Sequence, residues 1–347
     1  MEQTKRDARG SILAQSFAVI IVLTIILMIV SFPVGIYTVF YTKLSNSTAY
    51  NSSLHGIVLL VALIPFKIPV DSSVGTAFVA FLAVYAIFFT IAALQKVGII
   101  SSIKQFVSGG QDALFRNPLS ATVMMLGAIT FGLTILDIAQ TRVGLPTGQL
   151  TGDPLYLFLG ITMAPLTEEF GFRFTLIGVP VFLAAVASSR SVRSAVRALW
   201  RPSASWQRGD SVQTPSPSAY PLIRVFTYVL LVLSSVVFGL AHYLSYSGWD
   251  AGKVSQASIA GVALGYLYIR YGFHTAVLLH WGVNYFGTAY AFLSQGLWDI
   301  PWTSDTGSSL SLFVEVVIIL ALGIPSFMTY VYKFLKRGSM DTAGSIT

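Results

Sequence analysis

The segment Tyr156–Val186, YLFLGITMAPLTEEFGFRFTLIGVPVFLAAV, is apolar over most of its length and carries three formal charges near its centre. A helix needs about 20 mostly apolar residues to cross a hydrocarbon core about 30 Å thick. The segment exceeds that length, and several other windows of the chain also reach it. The sequence therefore predicts a polytopic membrane protein rather than a soluble domain with a single anchor.

The composition agrees with this prediction. Hydrophobic residues make up 54% of the 347 residues and charged residues 10%, with a mean hydropathy of +0.73, whereas soluble domains carry roughly 25% charged residues. Helices satisfy their own backbone hydrogen bonds in lipid, and the alternating segments of about ten residues that mark a transmembrane barrel are missing from the sequence. We predict an all-α fold: a polytopic membrane helix bundle with about eight transmembrane helices, forming a single membrane domain over residues 1–347.

The spacing of charges between the apolar segments predicts the topology. With eight crossings, the basic clusters all fall on one side of the membrane, and the opposite side carries polar or acidic connections. Because cytoplasmic loops are enriched in Lys and Arg, we expect a multi-pass protein of the cell membrane with both termini in the cytoplasm. Isolated exceptions are Lys43, Arg142 and Lys253. The predicted spans lie near 12–41, 74–95, 119–138, 155–188, 223–246, 253–270, 274–296 and 309–332.

Two segments outside these spans have their own character. The cytoplasmic connection 188–221 begins with arginines at helical spacing, which suits either a helix on anionic headgroups or a solvated charged loop. Its second half is rich in Ser and Pro, a composition typical of disordered segments. The short apolar piece 55–70 is interrupted by Pro65, Lys67 and Pro69, and we expect a re-entrant or interfacial segment.

Several classes of function are disfavoured by composition. The chain has no cysteine, which removes disulfides, thiolate metal sites and cysteine nucleophiles. The net charge of +7 comes from clusters between spans and not from one long patch, so nucleic acid is not an expected partner. No Gly-x-Ser-x-Gly elbow is present, and a covalent serine mechanism therefore has little support.

The three charges inside the quoted segment are Glu168, Glu169 and Arg173. On the insertion scale each central charge costs about 2.5 to 3.5 kcal/mol, so the three side chains are expected to face the bundle interior. Glu169 and Arg173 are four residues apart and share a helix face, which predicts an ion pair. Glu168 is rotated about 100° away and stays free for another task. Pro165 and Gly171 favour a local break in the helix.

Histidine provides a second set of polar groups within predicted spans. His242 follows Phe238 by one turn in FGLAH, and His280 precedes Asn284 by one turn in HWGVN. A lone histidine in a membrane span is more often a packing residue, but two of them together with an acidic pair indicate a site. His55 and His274 lie at span edges and are interpreted as interfacial.

This set of residues suits hydrolysis of an amide by water. A buried carboxylate can act as a general base toward water, one histidine can orient that water, and a second histidine with an asparagine can donate hydrogen bonds to the oxyanion. Zinc is the competing chemistry, because two histidines and a glutamate suffice as ligands, although the contiguous His-Glu-x-x-His motif is absent. We therefore predict no cofactor and keep zinc as an alternative.

The pieces EEFGFR, FGLAH and HWGVN resemble, in order and spacing, the three motifs of the CPBP family, the CAAX-type and bacteriocin-processing intramembrane proteases. The resemblance covers about 155–296, the predicted catalytic core, and every motif residue is present. It implies a glutamate-dependent, metal-independent endopeptidase of the CAAX prenyl endopeptidase type. By position, Glu168 and His242 would activate water, and His280 and Asn284 would form the oxyanion site. The residues that would support them are Glu169, Arg173 and Phe238.

The resemblance also limits the expected partners. Eukaryotic relatives cleave a prenylated C-terminal CAAX segment, and prokaryotic relatives often cleave a leader peptide, a bacteriocin or a membrane signalling factor. We expect a peptide or prenylated protein substrate that enters from the membrane or its cytoplasmic face. The alternatives are a transporter or proton-coupled carrier, which would favour two matching halves, and a non-catalytic immunity or scaffold protein.

Overall fold

A computed structural model describes residues 2–44, 50–62, 64–95, 97–110, 112–189, 192–206, 219–245, 248–302 and 309–343. Most of the described chain is helical, which confirms the all-α membrane bundle. The helices are α1 (Glu2–Tyr41), α2 (Val74–Leu94), α3 (Ile99–Val107), α4 (Pro118–Arg142), α5 (Pro154–Glu169), α6 (Val179–Ser189), α7 (Val192–Trp200), α8 (Ala219–Leu244), α9 (Ala251–Tyr271), α10 (Phe273–Trp281), α11 (Gly287–Trp298), α12 (Ser309–Val316) and α13 (Ile324–Ala343).

Three wider π-helical segments join consecutive α-helices without interrupting the rod. They connect α5 to α6, α10 to α11 and α12 to α13. The segment after α5 begins at Phe170, five residues past Pro165 and directly beside Gly171, where the sequence predicts a local break. The three segments are Phe170–Gly178, Gly282–Phe286 and Val317–Gly323.

The predicted count of eight spans is not confirmed. Among the described residues, six helices are long and apolar enough to cross a membrane. The two remaining predicted spans fold as α9 and as α10–α11, which are helical but more polar. Their burial gives the reason: every residue of α10 is enclosed by other helices, so its side chains need not match lipid. The six spans are Ile12–Tyr41, Val74–Leu94, Pro118–Arg142, Pro154–Ser188, Pro221–Leu244 and Leu312–Leu335.

The apolar piece 55–70 forms a small antiparallel hairpin and not a helical segment. Strands β1 (Ser53–Leu54) and β4 (Ser72–Ser73) pair at its base, and β2 (Ile57–Val61) pairs with β3 (Ile64–Ile68). β-branched residues favour strands, and the prolines disfavour a helix. The hairpin docks on the π-helical segment after α5, where the Ala62 amide donates to the Thr175 hydroxyl at 3.0 Å.

The basic connection after α6 contains a helix, α7 (Val192–Trp200), as the spacing of its arginines predicts; contact of this helix with headgroups stays a prediction. Its alanines, Ala195 and Ala198, are fully buried, while Arg193 and Arg197 are exposed. The Ser- and Pro-rich stretch 207–218 and the basic residues Lys96, Arg190 and Arg208 lie outside the described residues.

α7 covers the turn between α9 and α10 and thereby buries His274, which the sequence analysis assigned to an interface. The Trp200 ring stacks on the His274 ring with centroids 5.8 Å apart and planes 9° apart, and His274 is fully buried. The Tyr268 hydroxyl donates to the Leu199 carbonyl at 2.5 Å. The interfacial interpretation was wrong because α7 covers the first turn of α10 and encloses His274.

An aromatic column forms the centre of the bundle. The Phe158 ring stacks on Tyr285 at 5.5 Å and on Phe292 at 4.8 Å, and Trp281 stacks on Tyr285 at 5.4 Å and on Phe32 at 4.9 Å. These rings join α1 and α5 to the α10–α11 rod. Stacked aromatic pairs contribute about 0.5–1.5 kcal/mol each beyond their buried area, so the column fixes α10 rigidly beside α5.

Candidate active site

The predicted site residues lie on three helical rods that meet at one place. Glu168 and Glu169 end α5, and Arg173 follows in the π-helical segment. Phe238 and His242 belong to the last two turns of α8. His280 lies in α10 and Asn284 in the π-helical segment that follows it. Two of the three motifs therefore cross a boundary between α- and π-helix, a feature that is frequent at functional sites.

A fully buried ion pair anchors the site. Arg173 Nη1 lies 3.2 Å from Glu169 Oε1, and both side chains are 0% exposed, which confirms the predicted pair. Arg173 Nη2 donates to the Gly261 carbonyl at 3.2 Å, and the guanidinium lies 4.2 Å from the centroid of the Phe238 ring. The cation therefore ties α9 and α8 to the end of α5.

His280 joins this pair through its Nδ1 atom, which lies 2.8 Å from Glu169 Oε1. Because a carboxylate only accepts hydrogen bonds, Nδ1 carries a hydrogen and donates it. A partner on one ring nitrogen sets the role of the other. Nε2 therefore points away from Glu169, toward Asn284 Nδ2 at 3.1 Å and Glu168 Oε2 at 3.8 Å.

Glu168 differs from its neighbour Glu169 in exposure and in partners. Its side chain is 27% exposed, and its distance of 3.8 Å to His280 exceeds a hydrogen bond. Neither Glu168 Oε2 nor Glu169 Oε2 accepts a hydrogen bond from any described residue, but Glu169 is held through Oε1 by Arg173 and His280. Glu168 is the acid that lines the cavity, and its role in catalysis stays a prediction.

Phe238 lies between the two imidazole rings. Its ring centroid is 4.7 Å from that of His242 and 5.8 Å from that of His280, both in edge-to-face geometry. The Phe238 carbonyl lies 2.9 Å from His242 Nδ1, so Nδ1–H donates to it and Nε2 keeps its lone pair. The phenyl ring thus sets the spacing of both histidines.

Linear counting from the span edges places His242 and His280 at different depths, yet both lie against the same ring. The counting does not predict this contact because it ignores how the helices pack against one another. Helix packing decides the meeting point, and the four predicted catalytic residues are brought together.

The site opens into a cavity of about 850 Å³. Its walls are mostly apolar, and Glu168, His242, Asn284 and Lys253 supply charged or polar groups. A smaller pocket of about 60 Å³ on the other side of His242 is lined by His280 and Asn284 as well. A large apolar cavity with few convergent polar groups is typical of a binding site for a substrate.

Lys253 is a cavity residue that the sequence analysis recorded only as an exception to the charge pattern. It lies at the start of α9, with its ammonium 3.9 Å from the centroid of the Trp249 ring. The sequence contains one signal that could have pointed to this residue: Lys253 lies one turn after Trp249, on the predicted side of the membrane with few basic residues.

The structure also bears on possible metal ligands. Among the described residues, no three His, Cys, Asp or Glu side chains are placed to hold one metal ion. Glu168 and His280 approach each other, but the Nδ1 atoms of His242 and His280 have partners in the protein. The expectation of a reaction without a cofactor stays a prediction.

Comparison with known proteins adds one match. Residues 151–286 match the family model described as Type II CAAX prenyl endopeptidase Rce1-like. The matched range contains all three motifs and agrees with the resemblance over about 155–296. Neither a curated protein nor a solved structure matches the chain.

Proposed function

We propose that this multi-pass membrane protein is an intramembrane endopeptidase with Glu168 as its general base, because residues 151–286 match the model of the Rce1-like type II CAAX prenyl endopeptidases. The observation that carries the proposal is the free Glu168 carboxylate beside a buried Glu169–His280 pair, within a cavity large enough for a peptide. Glu169, by contrast, is fully buried and is held through Oε1 by Arg173 and His280.

In the proposed reaction Glu168 removes a proton from water while the water oxygen attacks the carbonyl carbon of the peptide. His242 Nε2 has a free lone pair and orients the same water. The carbonyl π electrons move to oxygen, and the oxyanion receives hydrogen bonds from His280 and Asn284. The C–N bond then breaks, and the proton held by Glu168 passes to the leaving amine.

The position of His280 supports its oxyanion role. Glu169 fixes the ring by accepting Nδ1–H at 2.8 Å, and the Asn284 side-chain nitrogen lies 3.1 Å from Nε2. In the proposed reaction both nitrogens direct an N–H toward the same oxyanion.

Purified protein tests this function. We expect cleavage of peptides from a library of membrane and secreted sequences, detected by mass spectrometry as new termini, and we expect cleavage to survive exhaustive chelation. Loss of cleavage after chelation, restored by added Zn²⁺, would reject the metal-free reaction. Solute flux in proteoliposomes without any peptide cleavage would instead support the transporter alternative.

The cavity also indicates from which side the substrate enters. Leu150, Ser245 and Trp249 line its end where α5 begins and α8 ends. Exposed arginines of α7 and Arg270 at the end of α9 lie at the opposite end of the bundle. With the basic end in the cytoplasm, we infer that the substrate reaches the site from the membrane or its non-cytoplasmic face, whereas the sequence analysis expected the membrane or its cytoplasmic face.

Because the chain has no cysteine, single-cysteine variants can test this orientation in intact cells. We expect a membrane-impermeant maleimide to label Ser245→Cys in intact cells and Arg193→Cys only after permeabilisation. Both positions are exposed, and they lie at opposite ends of the bundle. The reverse labelling pattern would place the cavity mouth in the cytoplasm.

A further inference from the structure

Lys253 is a cation in the cavity of the candidate active site for which the proposed reaction has no use. Its side chain lines both the large cavity, with Glu168, and the smaller pocket, with His280. The ammonium lies 3.9 Å from the centroid of Trp249, a cation–π contact that holds it at one wall. The cation is therefore positioned, yet the contact leaves its N–H groups available.

The position of Lys253 is electrostatically unfavourable in the chain by itself. It is the third residue of α9, and the partial positive charge of a helix N-terminus disfavours a cation there. Lys253 forms no ion pair with any described residue. A lysine in a mostly apolar cavity without an ion-pair partner among the described residues indicates that an anion from outside the chain completes the site.

Acidic residues near Lys253 already have other tasks. Glu168 and Asp137 act on it electrostatically, but neither reaches ion-pair distance. Asp137 Oδ1 accepts from Gln256 Nε2 at 2.9 Å and from the Thr147 hydroxyl at 3.5 Å. Glu168 must keep its carboxylate for water in the proposed reaction. A carboxylate from outside the chain, bound in the cavity beside Lys253, would complete the ion pair.

We propose that Lys253 binds a carboxylate of the peptide substrate and thereby positions the scissile bond against Glu168. This inference rests on the proposed endopeptidase function. The carboxylate has two sources in a peptide: the free C-terminus or an acidic side chain. In either case the substrate is an apolar peptide with one carboxylate close to the bond that is cleaved, because the rest of the cavity wall is mostly apolar.

Equilibrium binding tests the inference separately from catalysis. All variants carry Glu168→Gln. This substitution prevents turnover, and it removes the Glu168 charge, so that a substitution of Lys253 cannot change peptide binding through Glu168. Three labelled, N-acylated apolar hexapeptides of one sequence are compared: a free acid with an internal Gln, its C-terminal amide, and the amide with Glu in place of that Gln. We expect one of the carboxylate peptides to bind roughly 10- to 100-fold more tightly than the neutral amide.

Substitution of Lys253 assigns the preference to this residue. Lys253→Met should bind all three peptides equally, and Lys253→Arg should keep the preference. Lys43→Met is the matched control, because it removes the same charge on the same predicted side of the membrane. Lys43 pairs with Asp299 at 2.6 Å on the exposed surface. The Lys43→Met variant should therefore bind the peptides like the parent.

Three results would overturn the inference: equal binding of all three peptides to the parent, no binding of any of them, or a carboxylate preference that persists in Lys253→Met. Cleavage by the chain with native Glu168 is measured in parallel on the peptide library. Cleavage without carboxylate preference refutes the role of Lys253 alone, whereas preference without cleavage refutes the endopeptidase proposal.

Discussion

Replacing Glu168 with glutamine is expected to lower peptide cleavage by at least about 10²–10⁴-fold, the contribution typical of a general base. Glutamine keeps the volume of the side chain but cannot accept a proton from water. Stability should hardly change, because Glu168 Oε2 accepts no hydrogen bond from any described residue. Steady-state cleavage of a library-derived peptide and thermal unfolding in detergent measure the two quantities.

Glu315→Gln is the matched control for this substitution. Glu315 is exposed on α12, so the same chemical change there should leave cleavage unaffected. Cleavage by Glu168→Gln at the wild-type rate would show that another group activates the water, and His242 would be the first candidate because its Nε2 keeps a lone pair and the residue lines the same cavity.

Replacing Arg173 with methionine is expected to give the largest loss of stability. The substitution removes the cation but leaves Glu169 charged and 0% exposed, and breaking a buried pair in this way costs about 3–5 kcal/mol. The contacts of Arg173 with Phe238 and the Gly261 carbonyl are lost as well. The free energy of unfolding, measured by denaturant titration in detergent, reports the effect, and cleavage should also fall.

A double variant separates the charge effect from packing. Glu169→Gln combined with Arg173→Met leaves no unpaired charge at the site of the pair, so it should recover part of the stability lost in Arg173→Met. Activity should stay low, because His280 loses the carboxylate that accepts Nδ1–H at 2.8 Å. A double variant as unstable as the sum of both single changes would indicate that the pair contributes little as a pair.

The buried polar cluster could be predicted from the sequence because the free-energy cost of a charge in lipid leaves few positions for its members. Charges inside an apolar segment are costly in lipid, so Glu169 and Arg173 had to face inward, and their spacing of four residues predicted the contact. The two motif histidines followed from the same argument applied to FGLAH and HWGVN. For these residues, local spacing and the cost of burial are enough to predict that the side chains face the bundle interior.

Features that depend on neighbours in space were missed. The burial of His274 requires α7 to fold back over α10, and nothing in the local sequence of either helix shows this. The hairpin at 57–68 is favoured over a helix by Pro65 and by its docking on the π-helical segment after α5, which is a tertiary contact. The role of Lys253 depends on a cavity formed by α5, α8 and α9 together, so its sequence position alone marked it only as unusual.

The π-helical segments at Phe170–Gly178 and Gly282–Phe286 determine which changes in chain length the site tolerates. A residue removed between Glu169 and Arg173, or between His280 and Asn284, would reduce the spacing of that pair from four residues to three and rotate its second member by about 100° relative to the first. Arg173 would then turn away from Glu169, or Asn284 from His280. Point substitutions along these segments change side chains one at a time, whereas such a deletion would separate two site residues while both side chains are kept.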